Sequence, residues 1–149
     1  MKKLLKLVIL IIIINQPFQV FSQTYNINST TKEISNYSKI INFSKITKYD
    51  LEFEEYLDTQ DMNTKISILI YEGGAGKMEL AQEGYGKWTY ILYSCKEKKY
   101  KNSEKLVWEI VCLKEDLIPI VFYLDFKNYR IDRMWIKSKE TNSIYYYTN

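Results

Sequence analysis

Two apolar runs separated by a lysine-rich tip, within Gly86–Leu113 (GKWTYILYSCKEKKYKNSEKLVWEIVCL), constrain this chain more than any other stretch. The pattern is that of a β-hairpin. Folding about Ser103 and Glu104 sets Cys95 opposite Cys112, Leu92 opposite Glu115 and Lys99 opposite Trp108. In that register the two cysteines form a non-hydrogen-bonded pair with Cα atoms roughly 4.5 Å apart, a separation that a disulfide accepts. A Cys95–Cys112 disulfide is therefore expected. Ile91, Tyr93, Cys95, Trp108 and Ile110 share one face, while Tyr90, Leu92, Val107 and Val111 make the other apolar as well, so both faces are expected to be covered. The tip, residues 96–105, carries five lysines and two glutamates and must project into solvent.

The opening residues, MKKLLKLVILIIIINQPFQVFSQ, set three lysines before an apolar run from Leu7 to Ile14 that ends at Asn15 and Pro17. That run is far shorter than the roughly 20 residues a membrane-crossing helix needs, and with small or modest side chains at Val20 and Ser22 it reads as a signal peptide, residues 1–22, cut before Gln23. Secretion or a periplasmic location follows as the expectation, with no membrane span left after removal of the signal. The full chain carries 21 basic and 18 acidic side chains. Loss of Lys2, Lys3 and Lys6 leaves the two signs balanced, so overall basicity gives no argument for a nucleic-acid partner.

Residues 23–31 are polar and aperiodic and read as a loose leader, followed by one domain over residues 32–149. Thr30-Thr31-Lys32-Glu33 has capping-box spacing, and Ile34, Tyr37 and Ile41 recur at helical intervals, which predicts a helix. A second helix, capped by Asp50, is predicted over Asp50–Asp58, with Glu52, Glu54, Glu55 and Asp58 on a solvated face. From Lys65–Tyr71 onward the pattern turns to strands. A short return strand is expected at Met78–Gln82, a second hairpin about Lys127-Asn128, and a last strand at Ser143–Tyr147. The second hairpin's expected register sets Phe122 opposite Arg133 and Ile120 opposite Trp135.

The expected class is α+β: an N-terminal helix or two, then an antiparallel meander of five to seven strands. Its core should include Ile68, Ile70, Ile91, Trp108, Ile110, Ile120, Phe122 and Ile131. Over residues 32–147 this order of elements resembles the cone-shaped folds related to nuclear transport factors and the cystatin-type α+β folds. A resemblance at that level implies no function.

The chain has no histidine, which removes the commonest general base and the usual zinc sites. Gly73-Gly74-Ala75-Gly76-Lys77 is not a phosphate loop, because Tyr71 and Met78 stand where that motif needs Gly and Ser or Thr. Glu109 and Asp132 fall on one face but roughly 12 Å apart by sheet spacings, beyond the about 5–9.5 Å of glycosidase pairs. No cofactor is called for, and the inventory points away from catalysis. Arg133 is expected beside Trp108, Phe122 and Trp135, a cation among large aromatics, and these four are the candidate ligand-binding residues. The leading expectation is a non-catalytic secreted binding module for a small apolar or carbohydrate ligand. An inhibitor or immunity-type protein acting on a protein partner through its lysine-rich tip, and a small Asp/Glu hydrolase, are the alternatives.

Overall fold

A computed structural model describes residues 25–99, 105–114, 117–128 and 130–149. The proposed signal peptide and the Ser103–Glu104 tip lie outside the described residues. The expected α+β class is overturned. Among the described residues there is no helix, and eight antiparallel strands close into a barrel: β3 (Tyr37–Asp50), β4 (Glu55–Ile70), β5 (Gly76–Gln82), β6 (Gly86–Lys99), β7 (Leu106–Leu113), β8 (Pro119–Lys127), β9 (Arg130–Ser138) and β10 (Ser143–Thr148). Each strand pairs with the next, and β10 returns to pair with β3. A small separate ladder, β1 (Asn26–Ile27) with β2 (Ile34–Ser35), precedes them.

Both predicted helices fail for readable reasons. At the first, Asn28 Oδ1 accepts the amides of Thr30 and Thr31 at 2.9 and 3.0 Å, and Lys32 adopts φ 60°, so the cap-like residues close a turn instead of starting a helix. Beyond it, Tyr37, Ile41 and Phe43 are buried, a strand's alternation that the helical spacing of Ile34, Tyr37 and Ile41 had mimicked. At the second, Asp50 Oδ1 takes the Glu52 and Phe53 amides at 2.9 and 3.2 Å, as an N-cap would. Glu54 then turns left-handed at φ 53°, and the chain reverses into β4.

Three strand pairs carry register shifts, at Phe43/Lys45 and Thr47/Tyr49 in β3–β4, Leu92/Ser94 in β6–β7 and Asp125/Phe126 in β8–β9. Bulges of this kind bend strands and let a sheet curl shut. Close approach also selects residues: a Cβ on Gly76 would fall 1.9 Å from the Leu69 carbonyl oxygen, so only glycine fits where β5 starts against β4.

The interior is filled over most of its depth. Trp108, Phe43, Phe122, Ile66, Ile68, Ile70, Met78, Leu92, Ile110, Leu124 and Met134 are all fully buried. Of the expected core, Ile91 is the exception at 58% exposure, because the Leu92/Ser94 bulge puts Leu92 and Cys95 inside and leaves Ile91 and Tyr93 outside. One end is stoppered by the N-terminal segment. Ile34 is buried, Glu33 bridges to Lys96, and Tyr25 and Tyr37 pack edge-on against Trp108 at 4.8 and 4.9 Å.

Candidate functional site

The expected disulfide is not formed. Lys99 pairs with Leu106 instead of Trp108, Cys95 with Ile110 and Cys112 with Leu92, so the partners on β7 fall two residues earlier than the expected register, and the bulge separates the cysteines further. Both are free, buried thiols inside the barrel. Burial pushes the Cys112 thiol up to about 12 and the Cys95 thiol higher still, where Cys112 adds to the effect. Thiols held this firmly in the protonated form are poor nucleophiles.

The four expected ligand-binding residues divide between the two sides of the wall. Trp108 and Phe122 are interior core. Phe122 contacts Tyr90 and Trp108 contacts Phe126, with ring centroids 5.3 and 4.8 Å apart. Arg133 and Trp135 face outward, where Asp125 binds both: Arg133 Nε donates to Oδ2 at 2.5 Å and Trp135 Nε1 to Oδ1 at 3.0 Å. Trp135 stacks on Tyr123 at 3.9 Å, and the Arg133 guanidinium lies 5.1 Å from the Tyr146 ring. The reason is register. Phe122 pairs with Ile136 and Asp125 with Arg133, three residues from the expected alignment, and an odd slip turns a strand's side chains to the opposite face. This outer cluster ties β8, β9 and β10 together, and Asp125, at 5% exposure, is satisfied within it.

The end of the barrel opposite the stopper is open. There a cavity of about 430 Å³ is lined by Ile46 and Lys48 of β3, Asp58, Gln60 and Met62 of β4, Gln82 and Tyr85 at the β5–β6 turn, Ile136 and Ser138 of β9, and Tyr145 and Tyr147 of β10. Sheet pairing builds it. Tyr147 lies opposite Ile46 and Tyr145 opposite Lys48 across one seam, Ile46 lies opposite Gln60 across the next, and Tyr145 lies opposite Ile136. The floor is apolar, from Ile46, Met62, Ile136 and the buried Tyr147 ring.

Several polar groups of this lining have no protein partner among the described residues. Among the described residues, the side chains of Lys48, Asp58 and Gln60 and the Tyr147 hydroxyl make no hydrogen bond or ion pair, whereas Gln82 Nε2 donates to Met62 Sδ and Tyr145 shares a hydrogen bond with Thr141. Burial first, then the neighbouring Tyr90 and Tyr145, push the Tyr147 hydroxyl up to about 12. It stays protonated, and so remains a hydrogen-bond donor, throughout the neutral range. The sequence signals for this site were the tail Ile144-Tyr145-Tyr146-Tyr147 and the alternation through Ile46 and Lys48, which only the β10–β3 closure brings together.

No protein-family model, curated protein or solved structure matches this chain. The site's own geometry carries the functional reading.

Proposed function

We propose that this protein is a non-catalytic binding module that takes one small amphipathic molecule, with an anionic end, into the open mouth of its barrel. The observation that carries this reading is the incompletely filled interior: side chains pack the stoppered end and most of the depth, while a cavity of about 430 Å³ remains at the other end. An eight-stranded barrel is just wide enough either to be filled by side chains or to hold one small ligand. The cavity falls within the size range of small-molecule sites, and its mixture of apolar floor and few polar groups is typical of them. Ile46, Met62 and Ile136 suit an apolar body. Lys48, half-buried in the wall, and the Tyr147 hydroxyl offer a cation and a donor to an anionic end, while Asp58 stands exposed at the lip.

Asp58 is the one acid among the described lining residues, and a two-carboxylate hydrolase needs a second about 5–9.5 Å away. Outward-facing Lys77, Glu79 and Lys87 are joined by ion pairs of 2.5 and 2.9 Å on the wall, a pattern opposite to the apolar-out alternation of a lipid-facing barrel. Export through residues 1–22 remains part of the proposal.

The test is titration of the folded protein with 1-anilinonaphthalene-8-sulfonate, an anionic amphiphile of suitable size. One molecule per chain should bind, and Lys48→Glu and the cavity-filling Ile46→Trp should each weaken it at least tenfold while circular dichroism stays that of the parent barrel. Binding unchanged in both folded variants would refute the mouth as the site.

A further inference from the structure

β4 is paired on one edge for its whole length but on the other for only part of it. Its partners on β3 run from Ile70↔Tyr37 down to Glu55↔Asp50, whereas those on β5 stop at Thr64↔Gln82. Below that point Asn63 O still accepts the Glu83 amide at 3.0 Å. From Glu55 to Met62 no described strand lies beside the second edge. These residues span about 26 Å, and every second one directs its backbone donor and acceptor away from β3. Glu55 to Asp61 are all exposed. A bare edge of this length is a template for another strand.

The charge on the edge selects what can pair with it. From Lys45 to Asn63 there are six acids, Asp50, Glu52, Glu54, Glu55, Asp58 and Asp61, against two lysines. Lys45 lies opposite Asp61 and Lys48 sits in the mouth. An antiparallel pairing of two copies of this edge brings acids directly against acids in the registers that oppose Glu55 to Asp61 or to Asp58, which is destabilising there. The same acids favour a strand carrying lysine or arginine. Phe53 and Tyr56, 70% and 66% exposed, offer apolar contact at the lower end.

We propose that the Glu55–Met62 edge of β4 is a strand-addition site for an extended, cationic segment of a partner protein. Main-chain hydrogen bonds to the bare edge supply affinity, and alternate side chains of the added strand meet Asp58 on the mouth side and Asp61 on the outer side. This site does not depend on the cavity holding a ligand.

The experiment uses the full chain and a fluorescein-labelled peptide repeating Lys-Lys-Val-Val, which sets lysines on both faces of an added strand, read by fluorescence anisotropy. Saturable binding is expected. It should fall at least tenfold for the same peptide N-methylated throughout, which keeps the charge but removes the amide donors, and at least tenfold for the folded Asp58→Lys/Asp61→Lys variant. Equal affinity for the methylated peptide would show charge attraction without strand pairing and overturn the proposal. So would equal affinity for the double variant, or a concentration-dependent dimer abolished by that variant, which would give the edge to a second copy of the chain.

Discussion

Tyr25 stands edge-on to Trp108, ring centroids 4.8 Å apart and planes at 81°, and this contact ties the N-terminal segment to the middle of the barrel. Tyr37 completes the cluster at 4.9 Å from Trp108 and 6.1 Å from Tyr25. The stopper is therefore part of the core.

Trp108→Ala should lower stability by about 3–5 kcal/mol, read from urea unfolding, because it empties the centre of this cluster. Trp108→Phe should cost much less. The Trp108 Nε1 is buried with no hydrogen-bond partner among the described residues, so its loss gives up no bond and relieves an unsatisfied donor. Equal losses in the two variants would contradict this packing.

The folded protein should carry two free thiols that react slowly with a thiol reagent in native buffer and rapidly in denaturant. Cys95 and Cys112 are 1% and 0% exposed, and reaction must await opening of the barrel. Absence of thiol reactivity even in denaturant would mean a disulfide, and with it a different β6–β7 register.

Alkaline pH should unfold the barrel. The Cys95, Cys112, Tyr37 and Tyr147 groups are all raised by burial from ordinary values of 9.0 and 10.0. A raised folded value means that the native state keeps its proton while the unfolded chain loses it. Stability is thus fully present below about pH 9 and declines as pH rises from there toward 12. Tyr147→Phe should shift the high-pH part of that decline upward, measured by circular dichroism against pH. A decline already complete below pH 9 would point to other groups.

On the outer wall, Asp125→Ala should destabilise by about 1–3 kcal/mol, since it strips the Trp135 indole and the Arg133 guanidinium of their shared acceptor. Arg133→Gln should cost less, because Trp135 still donates to the carboxylate and the Arg133 side chain is 35% exposed. The reverse order in thermal unfolding would show that this cluster is not what secures β8 to β9.

The strands after Lys65 were legible because Ile66, Ile68 and Ile70 alternate with polar residues and β-branching reinforces the pattern. The two helices were not, since Asp50 and the Asn28–Glu33 stretch use the same side-chain-to-amide hydrogen bonds to begin a helix or to close a turn. Whether a helix follows depends on pairing with distant strands, and the β10–β3 closure is carried by no local signal. The candidate site suffered from the same blindness. Trp108 and Phe122 share the interior face as their alternation implies, but the shift near Asp125 turns Arg133 and Trp135 outward, and bulges are invisible to period-two counting.

The mouth cavity is tested most directly by methyl NMR of the folded chain, labelled at isoleucine and methionine methyls and titrated with decanoate. Saturable shifts should be concentrated at Ile46, Met62 and Ile136, which line the cavity, with Ile66, Ile68 and Met78 in the packed interior little moved. Shifts confined to exposed Ile40, Ile91 and Ile118 on the outside, or none at any concentration, would contradict the barrel mouth as a binding site.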